Sequence, residues 1–239
     1  ALPIFHCKTL IAVAALALPL GVFAQDKAKH PDLTGVWTAR GLSATIFSKG
    51  DPLMTDWAKT QYAKAKPSFG PKMVTLPETD DPVYKCFPPG VPRVYFHPFP
   101  MQFIEAPKMM LMFFEYDHTM RRIYMDGRKH NEDIEATWMG DSIGRWDGDT
   151  LVVETTGMND KSWIDRLGHP HSEQLKVTEK FKKTTADNMQ IDVTLEDPKA
   201  YKEPFTVQFN MQLKPNWEIA EQNCIDNSNL DTLEPGVKK

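Results

Sequence analysis

The sequence predicts a mainly β chain that closes into a single antiparallel barrel. Three observations carry this. From Gln102 onward, apolar and polar residues alternate with a period of two over most of the chain. The alternating runs are short and are separated by turn signals such as Asp126-Gly127 and Asp147-Gly148-Asp149. Nearly every run keeps one polar face, which suits an up-and-down sheet that closes on itself and leaves no edge. At 239 residues the chain can bury one sizeable core. No repeat or linker divides it.

Taken in order, Leu33-Thr34-Gly35-Val36-Trp37-Thr38 alternates after the turn-forming Pro31-Asp32 and reads as a first strand with Trp37 on one face. Leu53, Trp57, Tyr62 and Ala65 recur at rough helical spacing, so residues 54–65 form a short helix that Pro67 and Pro71 stop. Residues 77–101 carry Pro77, Pro82, Pro88, Pro89, Pro92, Pro98 and Pro100. Such a run cannot ladder into a central strand and is expected to wrap the surface as extended coil. Strands follow at 109–118, 120–125, 144–146, 150–155, 174–182, 189–195 and 205–213, with a last short one at 217–220. Hairpin turns are expected at Asp126-Gly127 and at Asp147-Gly148-Asp149.

Residues 1–24 read as a signal peptide. Lys8 precedes the apolar run 10–20, and Ala24 stands before the cut. That run is too short and too broken by Pro and Gly to span a membrane, so the mature chain 25–239 carries no transmembrane segment. The expected location is the periplasm or the extracellular space. Removing Lys8 takes the formal charge from −4 to −5. With a sequence pI of about 6.0 there is no basic stripe for a nucleic acid. Aromatic residues make up 10% of the chain, which excludes a disordered one. Two cysteines remain after processing, Cys86 and Cys224, and in an oxidising compartment they most simply pair. The loop-entropy model gives such a bridge roughly 4–5 kcal/mol. The competing arrangement is two buried free thiols.

Ionisable residues on an inward face hint at a site, because they are costly unless paired. The run 109–118 places Met109, Leu111, Phe113, Glu115 and Asp117 on one face and Met110, Met112, Phe114, Tyr116 and His118 on the other. It thus runs from an apolar middle to a polar mouth. Glu179 lies among Leu175, Val177 and Phe181 and is either catalytic or bridged to Arg121, Arg122, Arg128 or Arg145, the bridge being the commoner arrangement. In Gly168-His169-Pro170-His171-Ser172 the two histidines, at i and i+2 of extended backbone, project to one side. That spacing can chelate Zn or Cu, with His118, His130 or His97 as a third ligand and an Asp or Glu completing the shell. Without metal, one of these histidines can act as general acid or base beside Asp165 or Glu173. The bland arrangement is a loop whose histidines cap backbone groups and pack on Trp163. Gly140-Asp141-Ser142-Ile143-Gly144 has the letters of a nucleophile elbow, but it precedes a strand and opens no helix, so the match reads as chance.

Several segments resemble a family of uncharacterised secreted bacterial proteins abundant in soil bacteria. They are Asp126-Gly127-Arg128, Thr137-Trp138-Met139-Gly140, Gly144-Arg145-Trp146-Asp147-Gly148-Asp149-Thr150-Leu151-Val152-Val153, Asn159-Asp160-Lys161-Ser162-Trp163-Ile164-Asp165 and Asp197-Pro198-Lys199-Ala200-Tyr201. The resemblance spans residues 82–227. It implies an exported life and places the two cysteines where the family's are expected, and it supplies no reaction. Leu33-Thr34-Gly35-Val36-Trp37 resembles the glycine–tryptophan opening of lipocalin-type (calycin-like) barrels, which implies a small apolar or aromatic ligand in the lumen.

The leading functional expectation is a secreted enzyme that processes a small molecule in the barrel lumen by acid–base or metal-assisted chemistry, of hydrolase or lyase type. His118, His169 and His171 would transfer protons or ligate metal, with His130 as a further ligand. Glu115, Asp126 and Asp165 would be their carboxylate partners, Asp126 also at the substrate. Arg128 and Arg145 would hold an anionic or carbonyl oxygen, and Trp138, Trp146 and Trp163 would wall the pocket. The alternative is a non-catalytic lipocalin-like binder of a small hydrophobic or aromatic ligand, and a third is a structural envelope protein without a pocket. The sequence leaves the oligomeric state open.

Overall fold

The structure, a computed structural model, describes residues 30–41, 45, 47, 50–131, 133 and 135–224. The expected signal peptide lies outside the described residues. Nine strands close into one barrel in chain order: β1 (Gly35–Arg40), β2 (Met101–Ala106), β3 (Met109–Phe114), β4 (Met120–Tyr124), β5 (Asp141–Asp147), β6 (Thr150–Thr156), β7 (Lys176–Lys183), β8 (Asn188–Glu196) and β9 (Phe205–Leu213). β9 closes the sheet on β1, from Trp37↔Leu213 to Arg40↔Asn210. The mainly β, single-barrel fold with one short helix, α1 (Asp56–Lys64), is therefore the one the alternation predicts. No helix among the described residues is long and apolar enough to cross a membrane.

The period of two sets which side chains go in. On β7 Val177, Glu179 and Phe181 are buried, and on β8 so are Met189, Ile191, Val193 and Leu195, while Lys180 and Lys182 stay outside. Each large apolar chain buried this way contributes about 1.5–3 kcal/mol. α1 starts at Thr55, whose hydroxyl accepts from Ala58 N at 3.3 Å and donates to Lys199 O at 2.7 Å. That second bond ties the helix to the loop after β8. The Cys86–Cys224 disulfide forms, with Cα atoms 5.4 Å apart and its cysteines 138 positions apart in sequence.

Local expectations fail at four places, the first being the strand expected over 109–118: β3 ends at Phe114, and Tyr116–His118 turn as a 3₁₀ helix with Asp117 and His118 at φ +47° and +50°, which breaks the alternation of faces. Asp126-Gly127 does not turn a hairpin. β4 and β5 pair in parallel (Ile123↔Ser142, Tyr124↔Ile143), which a two-residue turn cannot connect, so the chain crosses over between Tyr124 and Asp141. Residues 217–220 form no strand. β9 ends at Leu213, Trp217 is 53% exposed, and the Ala220 amide bonds to Glu115 instead of a ladder partner. The place in the barrel goes to β2.

The proline-rich run departs most from expectation. Its first part does lie near the surface, but residues 89–96 are buried one after another. Its prolines bring no amide to satisfy, and the 3₁₀ turn Arg93–Phe96 bonds internally, with Val94 N to Gly90 O at 2.9 Å and Tyr95 N to Pro92 O at 3.0 Å. Its apolar side chains can therefore enter the barrel, where Tyr95 packs on Phe114, Phe181 and Phe209, and Phe96 on Phe209. The surface wrap thus becomes a plug, and side chains fill the interior where a lumen site was expected.

Candidate active site

Inside the barrel, one cluster of ionisable groups does meet. Arg121 on β4 and Glu179 on β7 form a bidentate pair, with Nη1 to Oε1 at 3.0 Å and Nη2 to Oε2 closer still. Arg121 also donates from Nε to Ser142 Oγ (3.0 Å), from Nη1 to the Tyr95 hydroxyl (2.8 Å) and from Nη2 to Thr155 Oγ1 (2.7 Å). Tyr95 donates to Glu179 Oε1 at 2.5 Å. Burial and the Glu179 charge raise Tyr95 well above the ordinary phenol value. All five guanidinium N–H groups are engaged, so nothing is left for a substrate. Glu179 therefore takes the bridged role, with Arg121 as its partner. Ser142 accepts from a cation and has no base beside it, so the Gly140–Gly144 match is not an elbow.

A different pair has catalytic geometry. Ser162 Oγ lies 2.8 Å from His171 Nε2. His171 Nδ1 lies 3.2 Å from the Ser172 carbonyl oxygen. A carbonyl only accepts, so Nδ1 carries the proton, and in the neutral ring Nε2 then accepts from the Ser162 hydroxyl. Burial pulls His171 below its ordinary value, against weaker upward pulls from the Ser172 carbonyl and from Asp197 and Asp160. The imidazole is therefore neutral and basic at physiological pH.

The surrounding chain fixes this pair. Asp197, buried at the end of β8, accepts from Ser172 N (2.6 Å) and Ser172 Oγ (2.8 Å), and holds the carbonyl that orients His171. Tyr201 donates to Pro170 O at 2.7 Å. On the other side Gly90, with φ +74°, brings the backbone of the plug against Ser162, where a β-carbon would sit 2.8 Å from Oγ. Both side chains border a cleft of about 270 Å³ walled by Trp57 and Trp163, with Lys64 and Lys161 supplying positive charge and Asp80 and Asp160 negative.

Of the residues singled out in the sequence, only His171 and Trp163 belong to this cleft. His169, wholly buried, gives Nδ1 to Asp165 at 2.8 Å, stacks on Tyr62 at 4.3 Å and meets Phe47 edge-on. Asp165 also accepts from the Leu167 and His169 amides, which closes the loop before β7. This pair builds structure. Glu115 caps the Ala220 amide, and exposed His118, at φ +50°, stacks on Phe113. His130 faces Asp141 at 2.9 Å. Arg128 is neutralised by Asp126, whose carboxyl it holds down at about 2, and it lies over Tyr124. Arg145 is exposed, 4.0 Å from Glu154. Trp138 stacks on Phe87 and Trp146 on His30, so the three tryptophans stand apart.

At the expected Zn or Cu site the two histidines of the i and i+2 pair turn to different partners. Among the described residues no three His, Cys, Asp or Glu side chains form a group that could hold a metal ion. His169 and His171 each spend a ring nitrogen on a different partner, so the i and i+2 spacing does not produce a shared shell. Ser162 is the member of this pair that sequence reasoning passed over as a candidate. Its sequence signals are its place in the segment 159–165 and its position nine residues before His171. No family model and no curated protein matches the chain, and no solved structure does.

Proposed function

We propose that the chain is an exported hydrolase of small esters, with Ser162 as nucleophile and His171 as general base. The observation that carries this is the 2.8 Å contact between Ser162 Oγ and an imidazole nitrogen whose ring partner is a backbone carbonyl. It reproduces the logic of a serine–histidine pair with the carbonyl in the orienting position usually held by a carboxylate. Oγ attacks the acyl carbon while its proton passes to Nε2. The imidazolium returns that proton to the leaving alcohol, and a water activated by the same nitrogen releases the acid. Lys64 and Lys161 place positive charge in the cleft for the developing oxyanion. The cleft is small, so the acyl group is short or a single ring. The Cys86–Cys224 bridge supports an oxidising compartment.

The test is hydrolysis of 4-nitrophenyl acetate. Ser162→Ala and His171→Gln each lower kcat at least about a thousandfold, and the double variant is no worse than either, because the two act as a unit. Turnover in Ser162→Ala equal to that of the parent would refute the assignment.

A further inference from the structure

A separate cleft of about 260 Å³ lies beside the disulfide and shares no lining residue with the Ser162 cleft. Its walls include Tyr84, Phe99 and Tyr116, and its polar groups come from Arg93, His97 and Arg166. Two of these carry a buried nitrogen without a partner, and the third is a cation without an ion pair among the described residues. Arg93 spends Nη1 and Nη2 on buried Asp81, at 2.8 and 2.6 Å, but its Nε is buried with no acceptor. His97 Nε2 is buried and also has no partner, while the ring stacks on Tyr116 at 4.6 Å. The half-buried Arg166 guanidinium lies 3.4 Å over the Phe69 ring and makes no ion pair among the described residues.

Buried polar atoms without hydrogen-bond partners are rare in folded proteins and point to a missing partner. Here two such groups and one uncompensated cation border the same space. Burial, with Arg93 and Arg166 nearby, pulls His97 down to about 3, so the ring is neutral. The complement of this arrangement is an anion with two acceptor oxygens on a flat apolar body. We propose that this cleft binds a small aromatic carboxylate, with its carboxylate against Arg93 Nε, His97 and Arg166 and its ring among Tyr84, Phe99 and Tyr116. The site stands whether or not Ser162 is a nucleophile.

The test is calorimetric titration of the full chain with benzoate, benzyl alcohol and acetate at neutral pH, with the His97 ring followed by NMR. Benzoate binds saturably with Kd about 1 mM or tighter. Benzyl alcohol and acetate bind at least about tenfold more weakly, since each lacks one half of the recognition. Benzoate also raises the His97 pKa from its low value. Arg166→Gln breaks no ion pair, so it folds, and it weakens benzoate about tenfold while leaving benzyl alcohol unchanged. Absence of saturable benzoate binding, or Arg166→Gln binding benzoate as the parent does, overturns the proposal. So does benzyl alcohol or acetate binding as tightly as benzoate.

Discussion

Arg121 and Arg93 are both buried, and both grip a carboxylate with two nitrogens, yet they differ in what remains. Every N–H of Arg121 has a partner, drawn from β5, β6, β7 and the plug. Arg93, held by irregular chain, leaves Nε orphaned beside a cleft. A closed sheet surrounds an inward charge with side chains at fixed register, so satisfying it is easy. An irregular segment offers fewer partners and leaves donors for a ligand. The barrel is the scaffold, and both proposed sites lie on irregular chain, the Ser162–His171 pair where the plug meets the loops after β6 and β8.

The largest expected effect breaks the sealed side. Glu179→Ala strands the Arg121 charge inside the sheet and costs about 3–5 kcal/mol, read as a shift of the denaturation midpoint. A loss below about 1 kcal/mol would mean that water reaches Arg121 and that the two regions do not differ as described.

Next is the contact between plug and dyad. Gly90→Ala forces a β-carbon onto Ser162 Oγ at a left-handed backbone position, costs about 1–3 kcal/mol and lowers ester turnover together with stability. Unchanged turnover would separate the plug from the site.

Acid sharpens the contrast further. His97 is pulled down to about 3 in the fold from 6.5, so below pH 6.5 the unfolded chain binds the extra proton and stability falls as pH falls. Between pH 7 and pH 5 this amounts to about 2 kcal/mol, and His97→Gln flattens the slope. Arg93 and Arg166 are the charges facing this ring. His171 is also lowered, so ester hydrolysis has its acid limb below pH 6.5 and is level above it. A limb centred above 6.5 would contradict a buried, neutral base. The smallest effect is at the surface: Arg128→Ala leaves turnover and the denaturation midpoint within error, because its exposed guanidinium serves Asp126 and Tyr124 alone among the described residues.

The barrel was legible because the period of two is a property of each strand by itself, as in Val177, Glu179 and Phe181. The parallel β4–β5 pairing was not, since no residue in 125–140 announces a crossover. The plug was misread because its seven prolines speak only about ladders, whereas Val91, Val94, Tyr95 and Phe96 decide burial. For the site, His171 stood out by spacing, and the structure places it against Ser162, not beside a shared partner with His169. Neighbours in sequence were divided by their partners: Asp165 took one ring, Ser162 the other. Glu115 and Asp117 were visible as charges at a strand end, but their use as anchors for 220–224 depends on a chain segment a hundred residues away.

The most direct test of the Ser162–His171 assignment is covalent labelling. A fluorophosphonate probe added to the folded protein, followed by peptide mass spectrometry, modifies Ser162 alone in the parent and nothing in His171→Gln. Labelling at another residue, or equal labelling of Ser162 without His171, would contradict it.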